Sequence, residues 1–368
     1  MLKPFSGKAK IDRGLLTAVI LLGFFGILMV FDSSSVMAAQ NFNDKFHFVK
    51  LHGVWAFLGM IIMLLASLID FRFWKKTAVI FFAASLASLV LVLIPGIGLK
   101  LLGGRRWLGI GELTFQPSEV AKLATIIYLA SFLEKKKSFF HFSIILAVVA
   151  GLLMLEPDLG TTVILIFSSL VVYFLSGASL KEFFFLALAG IAAGSLLILI
   201  SPYRMARMKV FLNPDLDPQG SSYHLRQILL ALGSGGFFGR GIGQSRQKFL
   251  FLPETATDSI FAVIAEETGF AGAFLVLGCF FYIISRSLRI SRFSTDKFGQ
   301  LLAGGITGLF FIQAFLNLGS MVSLVPLTGV PLPLISYGRS SMVVTFFYFG
   351  ILLNISRNVL IVKKEKTR

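Results

Sequence analysis

The chain has 368 residues, 56% of them hydrophobic and only 14% charged, with a formal net charge of +16. Soluble domains carry about 25% charged residues, so an ordinary globular core is excluded. Most of the positive charge sits in short loops between apolar runs, where membrane topology accounts for it and nucleic-acid binding does not.

The apolar runs define the fold class: an all-α polytopic membrane protein. Each is about 20 residues and can cross roughly 30 Å of hydrocarbon. Ten spans are predicted, at about 14–31, 51–69, 77–96, 118–133, 140–154, 159–175, 183–200, 258–284, 300–326 and 341–362. The first lacks a cleavage site directly after a short apolar core, so it reads as a retained anchor. Lys and Arg cluster around Lys8 to Arg13, Arg72 to Lys76, Lys135 to Lys137, Arg286 to Lys297 and Lys363 to Arg368. That bias predicts both termini in the cytoplasm. A single cysteine, Cys279, excludes a disulfide framework and a cysteine-based metal site. The four histidines, His47, His52, His141 and His224, lack metal-ligand spacing.

Between the seventh and eighth spans lies a long loop, at about 201–257, predicted to face outward. It carries Arg204, Arg207, Lys209, Arg226, Arg240, Arg246 and Lys248 on the side expected to be poor in positive charge. Two causes fit, solubility of an exposed loop or an anionic ligand. The stretch SYHLRQILLAL is apolar at helical spacing and predicts an interfacial helix. GSGGFFGRGIG lacks the GxxxxGK[ST] pattern and follows no strand, so its glycines serve turns and close packing. No nucleotide site is expected.

Acids inside apolar segments are the candidates for chemistry, since a charge at the bilayer centre costs about 2.5–3.5 kcal/mol. Asp258 opens the eighth span, where it fits either a helix N-cap or a catalytic carboxylate. Glu266 lies eight residues on, about 12 Å deeper, and with Glu267 is expected to pair within the bundle. Glu119 and Lys122 stand three apart on one helix and can form an internal ion pair. Asp158 in EPDLG reads as a cap.

Five motifs occur in order along the chain: GGRRWLGIGELTFQPSEVAKLA, LEPDLGTT, PYRMARMKVFLNPDLDPQGSSYHLRQILLALGSGG, QKFLFLPETATDSIFAVIAEETG and PLTGVPLPLISYGRSS. Together they resemble the SEDS family (shape, elongation, division, sporulation), closest to its FtsW branch. The resemblance runs from the first span to the last and implies a single membrane domain over 1–368. It implies a ten-span peptidoglycan glycosyltransferase of the bacterial cytoplasmic membrane that polymerises lipid II on the outer face. The implied partners are a class B penicillin-binding protein with transpeptidase activity and other division proteins. The family's essential aspartate in PE-x-x-TD falls on Asp258, with Glu254 and Thr257 beside it. Its tryptophan falls on Trp107, its intramembrane Glu and Lys on Glu119 and Lys122, and Ser340 belongs to the last motif. One departure stands out: the family usually reads ISYGGSS, and here Arg339 replaces a glycine.

This chemistry suits the residues. Lipid II offers a sugar hydroxyl as acceptor and a sugar diphosphate on a polyprenyl chain as donor. A carboxylate at the membrane surface can act as general base toward the hydroxyl. Cations stabilise the departing diphosphate: Arg204, Arg207 or Lys248 is the expected contact, or else a divalent cation, Mg or Mn, with Asp258 as its ligand. Two other readings compete, a lipid II flippase and a non-catalytic division scaffold. A flippase should carry polar residues near the midplane, where only Glu119, Lys122, Glu266 and Glu267 are candidates.

Overall fold

A computed structural model describes residues 11–101, 104–110, 113–214, 217, 220, 222–249 and 252–359. Lys8 and Lys10 near the start of the chain, Lys363 to Arg368 at its end, and positions 360–362 of the tenth predicted span lie outside the described residues. Three helices open the chain: α1 (Arg13–Phe42), α2 (His47–Leu68) and α3 (Arg72–Leu93). Next comes an antiparallel sheet of β1 (Leu99–Leu101), β2 (Gly104–Ile110) and β3 (Leu113–Phe115), in order β1-β2-β3. Four helices follow, α4 (Pro117–Lys135), α5 (Phe139–Leu155), α6 (Leu159–Leu175) and α7 (Leu180–Ile200). Two short ones, α8 (Pro202–Leu212) and α9 (Tyr223–Ser234), lead to α10 (Ile260–Phe293), α11 (Lys297–Met321) and α12 (Arg339–Ile355).

The helical class is as predicted, and the small sheet between α3 and α4 is an addition to the all-α expectation. Among the described residues seven helices are long and apolar enough to cross a membrane, namely α1, α2, α3, α7, α10, α11 and the last. This is a multi-pass membrane protein. α5 and α6 are apolar but have 17 residues each. The stretch predicted as one interfacial helix is α9, and α8 precedes it, started by Ser201, whose hydroxyl accepts from Arg204 N, and by Pro202 at the first turn.

The core lies around α11, which is buried almost all round, whereas α7 buries no residue and leaves its apolar side chains exposed. α2 and α12 approach so closely that a Cβ on Gly350 would collide with the backbone carbonyl of Met63. Asp12 caps α1 through Leu15 N and also takes Arg286 of α10 at 2.7 Å. Asp158 caps α6 by accepting from Thr161 N at 3.0 Å, as read from the sequence.

α10 is broken. Gly269 adopts φ 67°, ψ −167°, a conformation that costs glycine little and other residues much. A broken helix inside a bundle leaves carbonyls and N–H groups that need other partners. The glycine-rich loop supplies them. Arg240 N and Gly241 N donate to the carbonyls of Glu266 and Glu267, while Gly236 O and Phe237 O accept from Phe270 N and Ala271 N. The glycines therefore serve close packing, at the break itself.

Candidate active site

The segment before α10 is held from three directions. Thr255 Oγ1 donates to Ser33 O of α1, and Ala256 O accepts from Tyr337 N. Asn317 Nδ2 of α11 donates to Asp258 O and to Val330 O, both at 2.8 Å. Glu254 takes the left-handed region at φ 52°, folding the chain so that its carbonyl accepts from Thr257 N and Ser259 N.

This turn brings two carboxylates to one hydroxyl. Thr257 Oγ1 lies 2.7 Å from Glu254 Oε2 and 2.8 Å from Asp258 Oδ1, and with one proton it donates to one at a time. Asp258 is half-buried and Glu254 exposed. The N-cap of α10 is Ser259, not Asp258, so the cap reading of Asp258 does not hold. His224 Nε2 lies 2.7 Å from Ser259 Oγ, which brings α9 to the same corner. Burial holds the imidazole of His224 below its ordinary range. The charges of Asp258 and Glu254 oppose that shift, and Arg207 adds to it.

A second cluster lies along α11. Lys122 and Glu119 form the predicted ion pair at 2.8 Å, both buried, and Lys122 Nζ also donates to Gln313 Oε1 at 3.2 Å. Gln313 Nε2 donates to Pro331 O, next to the Val330 carbonyl held by Asn317. One face of α11 thus connects the ion pair to Asp258 through neighbouring carbonyls. Gln313 and Asn317 were missed from the sequence, where their signal is two amides four apart on an apolar helix.

The other predicted residues are distributed as follows. Trp107 stands half-buried on β2 opposite Leu99. Ser340 Oγ accepts from Gln116 N at 3.0 Å, fixing the start of α4 to α12. Arg204 turns back to Leu197 O of α7, whereas Arg207 donates to Leu327 O at 2.7 Å and stacks on Tyr203. Lys248 is a correction. It is buried, with Nζ 2.7 Å from Asp32 and 2.9 Å from Glu267, so its charge is committed to an internal network. Glu266 and Glu267 accept from the backbone N–H groups of Gly243, Ser245, Arg246 and Gln247. These two acids secure the loop against the break in α10. Arg339 occupies the first turn of α12 without backbone strain and reaches Tyr337 Oη and Thr114 Oγ1. Glu156, in the turn before α6, is buried with neither carboxylate oxygen hydrogen-bonded. Burial, helped by the charge of Asp158 and opposed by Arg106, pushes its pKa up to about 8.

Mg²⁺ is commonly held by one or two carboxylates together with substrate phosphates. Asp258 and Glu254 fit that mode. Among the described residues no three His, Cys, Asp or Glu side chains gather into a fuller protein cage.

Residues 12–360 match the family model FTSW_RODA_SPOVE, described as Cell cycle protein. The chain belongs to the SEDS family. One SEDS relative, from Trichlorobacter lovleyi, is named probable peptidoglycan glycosyltransferase FtsW; it is 41% identical over 96% of this chain and 95% of its own. Stage V sporulation protein E of Bacillus subtilis is 40% identical over 95% of this chain and 98% of its own. Among solved SEDS-like structures, RodA of Thermus thermophilus superposes with a TM-score of 0.71 at 28% identity, covering 95% of this chain and 97% of RodA. A chain from a peptidoglycan synthase complex that coordinates polymerization and crosslinking gives 0.79 at 28% identity, covering 94% of this chain and 98% of that one.

Proposed function

We propose that this chain is a peptidoglycan glycosyltransferase that polymerises lipid II on the outer face of the cytoplasmic membrane, in cell division. Its partners are a class B penicillin-binding protein and other division proteins. The reading includes ten spans, both termini in the cytoplasm, and residues 201–257 outside. The observation that carries it is the half-buried Asp258 carboxylate, freed from capping and held beside Glu254 at the mouth of a broken helix.

In this mechanism Asp258 accepts the proton of the attacking sugar hydroxyl as the new bond forms at the anomeric carbon. The bond to the diphosphate oxygen breaks, and its electron pair leaves with the diphosphate. One base suffices for such a direct displacement, with inversion. Arg207 faces the departing charge. In the alternative role, Asp258 is not the base: with Glu254 it would hold a divalent cation, Mg or Mn, which would supply charge neutralisation on the diphosphate.

The transporter reading is weakened by the fate of its candidates. Glu266 and Glu267 are tied to loop backbone, and Lys122 to Glu119 and Gln313. The test supplies lipid II to the purified chain, with and without a candidate transpeptidase, and separates the products by length. Glycan strands support the reading; lipid II flipped between leaflets with no polymer formed would refute it.

A further inference from the structure

Arg339 is a cation in a place that does not favour one. It opens α12 directly after the N-cap Gly338. The N-terminal end of a helix dipole is positive, so a guanidinium there is repelled. Among the described residues no carboxylate pairs with it. Its contacts are two neutral hydroxyls: Nε donates to Tyr337 Oη at 3.2 Å and Nη1 to Thr114 Oγ1 at 3.4 Å. A guanidinium has further N–H donors, so these bonds fix its direction and leave both charge and donors for a ligand. The side chain is half-buried, held in place rather than trailing into solvent.

The neighbours indicate which anion. Thr114 of β3 pairs with Gly109 of β2, and side chains two apart on a strand share a face. Trp107 and Thr114 therefore lie on one face of the sheet, with exposed Gly109 leaving room between them. An aromatic ring beside a guanidinium suits a sugar joined to a phosphate, ring on ring and phosphate on the N–H fork. Toward the base, Tyr337 N donates to Ala256 O, two residues before Asp258. The guanidinium thus stands one tyrosine side chain away from the turn that carries Asp258. It is separate from Arg207, which is held at Leu327 O beside α8.

Polymerisation brings two lipid-linked sugar diphosphates together, and the acceptor's own diphosphate is not the one that departs. A disaccharide separates it from the attacking hydroxyl, so the cation that holds it must stand back from Asp258, as Arg339 does. We infer that Arg339 binds the diphosphate of the acceptor, with Trp107 against the adjoining sugar. The inference rests on the glycosyltransferase reading for its substrate class. It gives the arginine that replaces the family's glycine a task, which is to hold the acceptor while Asp258 takes the proton of its hydroxyl.

The test compares the full chain in detergent with Arg339→Gly, which restores the residue the family usually carries, and with Arg339→Gln, which keeps a good helix former. Each should raise KM for lipid II about tenfold or more, the worth of one charge-assisted contact, with a smaller change in kcat. Arg339→Lys keeps the charge but not the planar fork, and should recover part of the loss. The difference from wild type should shrink as salt is raised, which a packing role would not show. Direct binding of lipid II, measured in the Asp258→Asn background, should weaken in step at one of two sites. Melting curves identify any variant that fails to fold, and the others then decide. Unchanged KM and binding in the folded variants, or a loss that salt does not alter, overturns the inference; glycan strands from the wild type then keep the glycosyltransferase reading. No strands from the wild type, with binding weakened by the substitutions, would refute that reading and keep the anion contact.

Discussion

Lys248 Nζ lies 2.9 Å from Glu267 Oε1, with the two side chains 4% and 0% exposed. Asp32 of α1 completes the set at 2.7 Å. The loop before α10 is therefore fastened to two helices by one ammonium group. Removing one member of a buried pair leaves the others uncompensated, which typically costs 3–5 kcal/mol. Lys248→Gln should lower stability by about that amount, read as a large fall in melting temperature in detergent. A melting temperature equal to wild type would show that the network contributes little.

Asn317 holds the carbonyls of Asp258 and Val330 with one amide. Asn317→Leu keeps the volume but leaves both acceptors without this donor, at about 1–3 kcal/mol each. Because the carbonyl belongs to the proposed base itself, the larger effect should fall on turnover. We expect kcat to drop by up to about 100-fold, the scale of a 1 Å displacement, with KM little changed. A rise in KM at constant kcat would instead place Asn317 in substrate binding.

Glu156 predicts a pH dependence. Its pKa is raised from an ordinary 4.5 to about 8 by burial, so the folded protein binds a proton that the unfolded chain releases between those values. Stability must then fall as pH rises from about 4.5 to 8, and level off above. Glu156→Gln should remove this slope and be more stable than wild type at pH 8 and beyond. Parallel pH profiles for the two proteins would mean that Glu156 is ionised when folded.

Much of the fold was legible because a bilayer demands long apolar runs, and the seven self-sufficient helices coincide with predicted spans. The sheet was not legible: β1 and β3 have three residues each, too few for alternation to show. Nor was the break at Gly269, since a lone glycine in an apolar helix does not reveal its φ. The Glu119–Lys122 pair followed from helical spacing, which is local. Lys248 did not, because a cation in a long loop looks solvated until tertiary structure folds the loop inward. His224 was one of four scattered histidines, and only the docking of α9 on Ser259 brings it to the Asp258 corner.

Asp258→Asn tests the central claim most directly. The amide keeps the size of the side chain and can still pair with Thr257, but it cannot take a proton usefully. Purified wild type and variant, matched for melting temperature and transpeptidase binding, would be given lipid II and their products resolved by length. Wild type should yield glycan strands and Asp258→Asn none, with Asp258→Glu severely impaired because the extra methylene moves the oxygen out of position. Polymerisation by Asp258→Asn near the wild-type rate would contradict the account.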